Sequence, residues 1–385
     1  PIYLDSHAST QVDEDVLNSM LPYFNQHYAN GNHKAGWKTS AALEEARFRV
    51  ASFLAARPSE IIFTSGATES INLGLLGFAN NRPLKRKQII TQCTEHSAVL
   101  ACLEVLRKNG YQITFLGVDA NGRIDLNELQ EKVSEETLLV TIMLANNEIG
   151  TLQPVKAIGE ICKTVGSKFF CDLTQGLGWY PIDVDEMNID LAALSAHKIY
   201  GPRGAGALFV RRKGTKISLR PLLVGGGQEN GLRSGTANVP GSVGLGEAIE
   251  RLAEYGAADF RHIQMLRDRL QRQLFDAVDG IKLNGCPKNR HPGNLNIAIP
   301  LVSGEDLIGA LPQITFSTAS ACTSASAQSS YVLRALNVEE WVLKNALRFG
   351  VSKYNTVAEI DFVARAIIKH VRRLQERRRR RKRIV

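Results

Sequence analysis

Ile61-Ile62-Phe63-Thr64-Ser65-Gly66-Ala67-Thr68-Glu69-Ser70 joins a short apolar run to a turn of small residues, and a helical pattern then continues through Ile71, Leu75 and Leu76. Gln88-Ile89-Ile90-Thr91, Ile113-Thr114-Phe115-Leu116, Leu139-Val140-Thr141-Ile142 and Lys168-Phe169-Phe170-Cys171 repeat the strand half of this unit, separated by helical stretches. Such alternation predicts an α/β fold with a mostly parallel sheet and helices on both faces. Ligands of such sheets bind outside the carboxyl ends of the strands, so the residues that follow each strand are the informative ones.

After Thr64, Ser65 to Ser70 offer amides and hydroxyls at a helix start, which reads as a phosphate site or as an ordinary cap. Neither a G-x-G-x-x-G nor a P-loop pattern is present. Thr91 is followed by Cys93-Thr94-Glu95-His96, Ile142 by Asn146-Asn147-Glu148, and Cys171 by Asp172-Leu173-Thr174-Gln175. Singly, His96 reads as a structural histidine and Asp172 as a helix cap. Four polar strand ends on one rim favour a site.

Asp190 to Ala193 reads as a further buried strand, followed by Leu194-Ser195-Ala196-His197-Lys198-Ile199-Tyr200-Gly201-Pro202. Gly201, Gly204 and Gly206 set a tight loop before Ala207-Leu208-Phe209-Val210. Lys198 then stands at a strand end, either as a solvated loop lysine or as an amine able to form a Schiff base. With Asp172, His96 and the helix start at Ala67, it makes up the parts of a pyridoxal phosphate site: an amine for the aldehyde, an acid for the ring nitrogen, amides for the phosphate.

Elsewhere, Asp13 to Gln26 and Ser40 to Ala56 carry helical periodicity, Gly225 to Thr236 reads as a flexible polar loop, and Val243 to Val278 as a long helix broken near Gly256. Ser317 to Ser326 is a run of small residues around Cys322, a setting that suits a mobile, reactive thiol. The six cysteines include no C-x-x-C pair and no zinc spacing, which fits a reducing cytosol. No signal-peptide pattern and no apolar run of about eighteen residues occurs, so no membrane or export targeting is expected. Of the net charge of +9, the stretch from Arg372 to Val385 carries +8, with nine basic residues and one acid. The body is near neutral, and the tail is expected to be disordered by self-repulsion, either merely solubilising or in contact with RNA or an acidic sulfur acceptor.

Leu4-Asp5 with Ala8, Ser65 to Ser70, Thr94-Glu95-His96, Asn146-Asn147-Glu148-Ile149-Gly150, Asp172 with Gln175, His197 to Pro202, Arg233-Ser234-Gly235-Thr236 and Ser320-Ala321-Cys322-Thr323-Ser324 together resemble cysteine desulfurases of the NifS/IscS type, from about residue 2 to about 371. The resemblance implies the pyridoxal-phosphate-dependent transferase fold of type I. Its large domain, with a mostly parallel seven-stranded sheet, would span 15–257; a smaller α+β domain would comprise 1–14 and 258–371 and carry the Cys322 loop; 372–385 would be the basic tail. It implies that Lys198 holds pyridoxal 5′-phosphate, that Asp172 faces the ring nitrogen, that Gln175 and Asn147 lie near the phenolic oxygen, and that His96 stacks on the ring. Ala67, Thr68, Ser195 and His197 would bind the phosphate, with Thr236 reaching in from the partner subunit of a homodimer. Arg348, with Asn147 beside it, would take the substrate carboxylate.

The implied activity is a cytoplasmic sulfurtransferase of the EC 2.8.1.7 type. It takes sulfur from L-cysteine, with Lys198 as base and His96 as a proton acceptor, leaves L-alanine and a persulfide on Cys322, and passes the sulfur to acceptor proteins for iron–sulfur cluster assembly or tRNA thiolation. A selenocysteine lyase or another class-V pyridoxal phosphate enzyme is the alternative. The scaffold-docking extension of related enzymes is replaced here by Arg377 to Arg383. No metal ligands are expected.

Overall fold

The computed structural model describes residues 1–29, 33–81, 86–214, 217–318 and 330–382, and the backbone only at 375 and 377–382. Its centre is a seven-stranded sheet of β1 (Ile61–Thr64), β2 (Gln88–Gln92), β3 (Gln112–Leu116), β4 (Thr137–Thr141), β5 (Lys168–Asp172), β6 (Leu191–Ser195) and β7 (Gly206–Val210), in the order β1-β7-β6-β5-β4-β2-β3. All neighbours pair in parallel except those of β7, which runs antiparallel to both β1 and β6. Reversing β7 leaves β1, β2, β4, β5 and β6 pointing the same way, so their carboxyl ends share one rim.

Every residue of β1, β4, β6 and β7 is buried, which is why these strands read as unbroken apolar runs rather than alternating ones. Alternate residues serve opposite faces. Phe170, Leu191, Ala193 and Leu208 pack under α1 (Ala67–Ala79) and α2 (Ser97–Lys108), through Ile71, Leu75, Phe78 and Leu103. Phe169, Cys171, Ala192, Leu194 and Phe209 pack with Val50, Leu54, Leu245 and Leu252 of the helices on the other face.

A second, antiparallel sheet comprises β8 (Lys282–Leu283), β9 (Asn294–Ala298), β10 (Ser317–Thr318) and β11 (Ala346–Gly350), in the order β10-β11-β9-β8. Its core, with Leu295, Ile297, Leu347 and Phe349, takes in Leu4 from the N-terminal segment and two long helices, α3 (Val239–Ala277) and α4 (Val357–Lys382).

The helices depart from expectation at three places. Asp13 to Gln26 forms two short helices, Glu14–Met20 and Pro22–Asn25, because Pro22 opens the second. α3 has no break at Gly256: a single glycine costs a helix about 1 kcal/mol, and the helix is buried in both cores, through Leu245 and Leu252 at one end and Leu266, Leu270 and Leu274 at the other. The break expected there, and with it the 257/258 division, falls inside one continuous helix. The tail, expected to be disordered, continues α4 as helix to Lys382. Arginine and lysine are good helix formers and are favoured at a helix C-terminus.

Gly225 to Thr236, expected to be flexible, is anchored. The buried Arg47 guanidinium donates both Nη groups to Glu229 at 2.8 Å, and the amide of Phe63 donates to the same carboxylate at 2.9 Å.

Candidate active site

The strand ends of the main sheet open into a cleft of about 730 Å³, within the roughly 300–1,000 Å³ of small-molecule sites. Ala67, Thr68, His96, Asn147, Asp172, Gln175, Ser195, His197 and Lys198 all line it. Thus nine of the sequence-derived residues, drawn from five strand ends, meet in one place.

The wall after β1 is an anion cradle. Gly66, at φ +147° and without a capping side chain, starts α1, so the first amides of that helix keep no intrahelical acceptor and open towards the cleft. A Cβ on Gly66 would lie 3.5 Å from Ser195 Oγ, and one on Gly206 only 2.6 Å from Gly66 Cα. Glycine at 206 lets the turn lie directly on the sheet, and Gly66 holds a φ that other residues rarely adopt. The one acid of this turn, Glu69, is engaged, accepting from the Ser65 amide and from Arg233 Nε, each at 2.9 Å.

Lys198 follows β6 on a single 3-10 turn, Ala196–Lys198. Its ammonium donates to the backbone carbonyls of His7 at 2.5 Å and Ala8 at 2.8 Å. Tyr200, two residues on, holds φ +63°, a sparsely populated conformation for a bulky residue. Its amide donates to Thr10 Oγ1 at 2.8 Å, its hydroxyl accepts from the Lys353 amide at 3.0 Å, and its ring is buried, which together keep the turn in place. Asp172 is buried at the end of β5 and accepts from the Thr174 amide at 2.9 Å.

The imidazoles are neutral near pH 7. Burial, aided by the Lys198 and Arg203 charges, pushes His197 down to about 4, and burial with the nearby Arg348 pushes His7 down to about 3. Burial also lowers His96, against the pull of Asp172. His96 caps α2, its Nδ1 accepting from the Ala98 amide at 3.2 Å. With Nδ1 accepting, the neutral ring carries its proton on Nε2.

Arg348 is placed differently from expectation, whereas Gln175 lines the cleft and Thr236 was expected there only from a partner subunit. Gln175 is held by His7, its Oε1 accepting from His7 Nδ1 and its Nε2 donating to the His7 carbonyl, both at 3.0 Å. Arg348 lies behind Asn147 rather than in the cleft wall; it is buried, pairs with Asp5 at 2.9 Å and donates to the Asn147 carbonyl at 3.1 Å. Thr236 is exposed and lies outside the cleft of its own chain. Cys322 lies outside the described residues. The residues flanking 319–329 are tied to the rim: Ser317 Oγ donates to Asp5 at 2.6 Å, Ser330 Oγ to Glu148 at 2.5 Å, and the Tyr331 hydroxyl to the Glu95 carbonyl at 2.5 Å. Tyr3, His7, Ser9 and Arg203 also line the cleft and were not assigned from sequence; the Leu4-Asp5 and Ala8 motif was the only signal near three of them.

The model of the family described as "Aminotransferase class-V" matches residues 2–363. The chain belongs to that family. Among class-V members it is 45% identical to the cysteine desulfurase IscS of Anaeromyxobacter sp. (strain Fw109-5), over 98% of this chain and 94% of that one. It is likewise 45% identical to the mitochondrial cysteine desulfurase of Drosophila melanogaster, over 98% and 82%. Among solved structures, a NifS-like protein superposes with a TM-score of 0.89 at 37% identity, covering 96% of this chain and 99% of that one. SspA in complex with cysteine gives 0.81 at 34% identity, covering 92% and 100%. The seven-stranded sheet and its rim are thus those of a class-V aminotransferase fold.

Proposed function

We propose that the protein is a cysteine desulfurase that uses pyridoxal 5′-phosphate, takes the sulfur of L-cysteine, releases L-alanine and holds the sulfur as a persulfide on Cys322. The observation that carries this is the meeting, in one cleft, of the Lys198 amine, the buried Asp172 carboxylate and the open amides of Ala67 and Thr68. The class-V relatives that are cysteine desulfurases support the same reading.

The residues fit the cofactor. The cradle formed by Gly66, Ala67 and Thr68 with Ser195 and His197 has the donors and the room that a phosphate needs, and Asp172 is the anion for a protonated ring nitrogen. Asn147 and Gln175 would face its ring oxygen, and Thr236 would approach from a second copy. When bound, pyridoxal phosphate supplies an electron sink that makes the Cα–H of an amino acid acidic.

This chain then has four tasks. Lys198 Nζ, freed from the His7 and Ala8 carbonyls, moves the Cα proton. His96 covers the site with a neutral ring and offers its Nε2 proton. Arg348 draws the substrate carboxylate inward, in competition with Asp5. Cys322 supplies the acceptor thiolate: a new S–S bond forms as the substrate C–S bond breaks, and the substrate carbon takes a proton, so that cysteine plus thiol gives alanine plus persulfide. Burial of four of the other five thiols supports this choice, since it raises Cys102 to about 11 and Cys162 to about 12, and Cys171 and Cys286 are buried as well, while Cys93 is partly exposed.

A homodimer agrees with the surface beside Thr236, where Leu222, Leu223 and Val224 are 42%, 46% and 81% exposed and Leu223 bridges to Arg233. Transfer onward to acceptor proteins for iron–sulfur clusters in the cytoplasm completes the reading. The test is to mix the purified protein with L-cysteine and assay alanine and sulfide. Both should appear in equal amounts when a thiol reductant is present, and absence of alanine from the cofactor-loaded protein would overturn the proposal.

A further inference from the structure

The proposed chemistry leaves one part of the molecule unused. The apolar face of α4 ends early: Ile360, Val363, Ala364, Ile367 and Val371 are fully buried, Leu374 packs at the margin of the same core, and residues 375–383 contain no apolar side chain. On the opposite face Arg365, Lys369, Arg372 and Arg373 are exposed and, with Ile368 and Glu376, line one shallow depression. Their spacing of i, i+4, i+7 and i+8 sets them in one stripe. The acid nearest this stripe at the start of the helix, Asp361, is already engaged by Arg269 Nε at 2.6 Å and Nη2 at 2.8 Å.

Past Leu374 the backbone continues as helix to Lys382. Positions 377–382 step round the helix axis at about 100° each, and every one is arginine or lysine. A helical run in which every successive position of the sequence is basic suits a partner that surrounds it. A flat acidic protein surface meets one side and leaves the rest in water, whereas a B-form DNA groove is walled by phosphates on two sides and its major groove admits an α-helix, which the deep, narrow major groove of duplex RNA does not. Guanidinium groups also pair with phosphate in bidentate fashion, and arginine predominates in the run. From residue 365 to residue 382 the basic stretch is about 26 Å long at 1.5 Å per residue.

We propose that α4 is a docking surface for duplex DNA, held through the phosphate backbone and without base readout. Labelled 20-base-pair DNA and RNA duplexes are titrated with the full-length protein and with a chain ending at Glu376, from about 50 to 200 mM salt. The full chain should bind the DNA duplex, log Kd should rise with log salt with a slope of about 4 to 5, as for some five phosphate contacts, and the shortened chain should bind at least tenfold more weakly. Tighter binding of the RNA duplex than of the DNA duplex would overturn the proposal. Arg365→Gln with Lys369→Gln in the full-length chain should lower the slope by about two, with unchanged thermal melting showing that the fold is intact. Equal duplex binding by the full and shortened chains, no duplex binding at 50 mM salt, or equally tight binding of polyglutamate or phosphatidylserine vesicles would overturn the proposal.

Discussion

At the scale of single residues, the site depends on where protons and lone pairs are held. Among the described residues Lys198 is the only lysine lining the cleft, and two backbone carbonyls hold its amine. Lys198→Ala should therefore abolish the yellow absorbance of the cofactor-loaded protein together with alanine formation, while leaving the melting temperature of the cofactor-free protein within a few degrees. A variant that stays yellow and active would place the chemistry elsewhere. Cys322→Ser separates sulfur acceptance from the earlier steps, because Lys198, His96 and Arg348 remain. It should keep the cofactor absorbance and lose alanine release by at least a hundredfold, since a hydroxyl is a far weaker nucleophile towards sulfur than a thiolate. Alkylation and peptide mass mapping of the unmutated protein check the same point, and a persulfide on Cys93 or Cys286 with Cys322 unmodified would refute it.

At the scale of elements, the turn after β1 and the hairpin-like connection from β6 to β7 are pressed together, and glycine at 206 permits the contact. A Cβ at Gly206 would come within 2.6 Å of Gly66 Cα and of the Leu194 carbonyl oxygen, both backbone atoms that have no rotamer to yield. Gly206→Ala should thus cost about 1–3 kcal/mol, the usual range for overpacking, and should weaken cofactor binding at the adjacent cradle; denaturant melts and absorbance titration measure the two effects. Strands and strand-end residues were legible in the sequence because fully buried strands are continuous apolar runs: Ile61–Thr64 coincides with its reading, and Lys168–Asp172 differs by one residue. Gly256 misled because a glycine inside a well-packed helix leaves no mark of its own that tells a break from a tolerated residue. The N-terminal wall of the cleft was hidden for another reason. His7 meets Lys198 across 191 residues and Asp5 meets Arg348 across 343, and contacts that distant impose no periodicity on the chain.

At the scale of the molecule, association and pH stability follow from surface and burial. The exposed Leu222 to Val224 segment lies beside Thr236, so Val224→Glu should convert a dimer to a monomer in sedimentation and lower cofactor affinity at the same time; loss of one without the other would mean that Thr236 does not serve a neighbouring site. The pH response is set by buried groups of opposite kind. Burial, with Asp172 nearby, raises Glu95 to about 8, and burial raises Glu148 to about 7, against an unfolded value of 4.5. Between 4.5 and those values the folded protein holds protons that the unfolded chain has released, so stability falls as pH rises through that window. His7, lowered to about 3, and His197, lowered to about 4, act in the opposite sense, because the unfolded chain binds protons below 6.5 that the folded protein refuses. Their effect makes stability rise with pH up to about 6.5. His291, lowered well below its ordinary value by burial, and His96, also lowered, act in the same sense, so the histidines outweigh the two carboxyls and stability rises with pH from about 4.5 to 6.5. Above 6.5 only the carboxyls contribute, each at about 1.4 kcal/mol per pH unit until it ionises. Glu95→Gln preserves an acceptor for the Met143 amide and for Gln92, each now at 2.7 Å, and removes the ionisation. The variant should therefore lose less stability than the unmutated protein between about pH 6.5 and 8 in urea melts, and parallel curves for the two proteins across that range would show that Glu95 is already ionised in the fold.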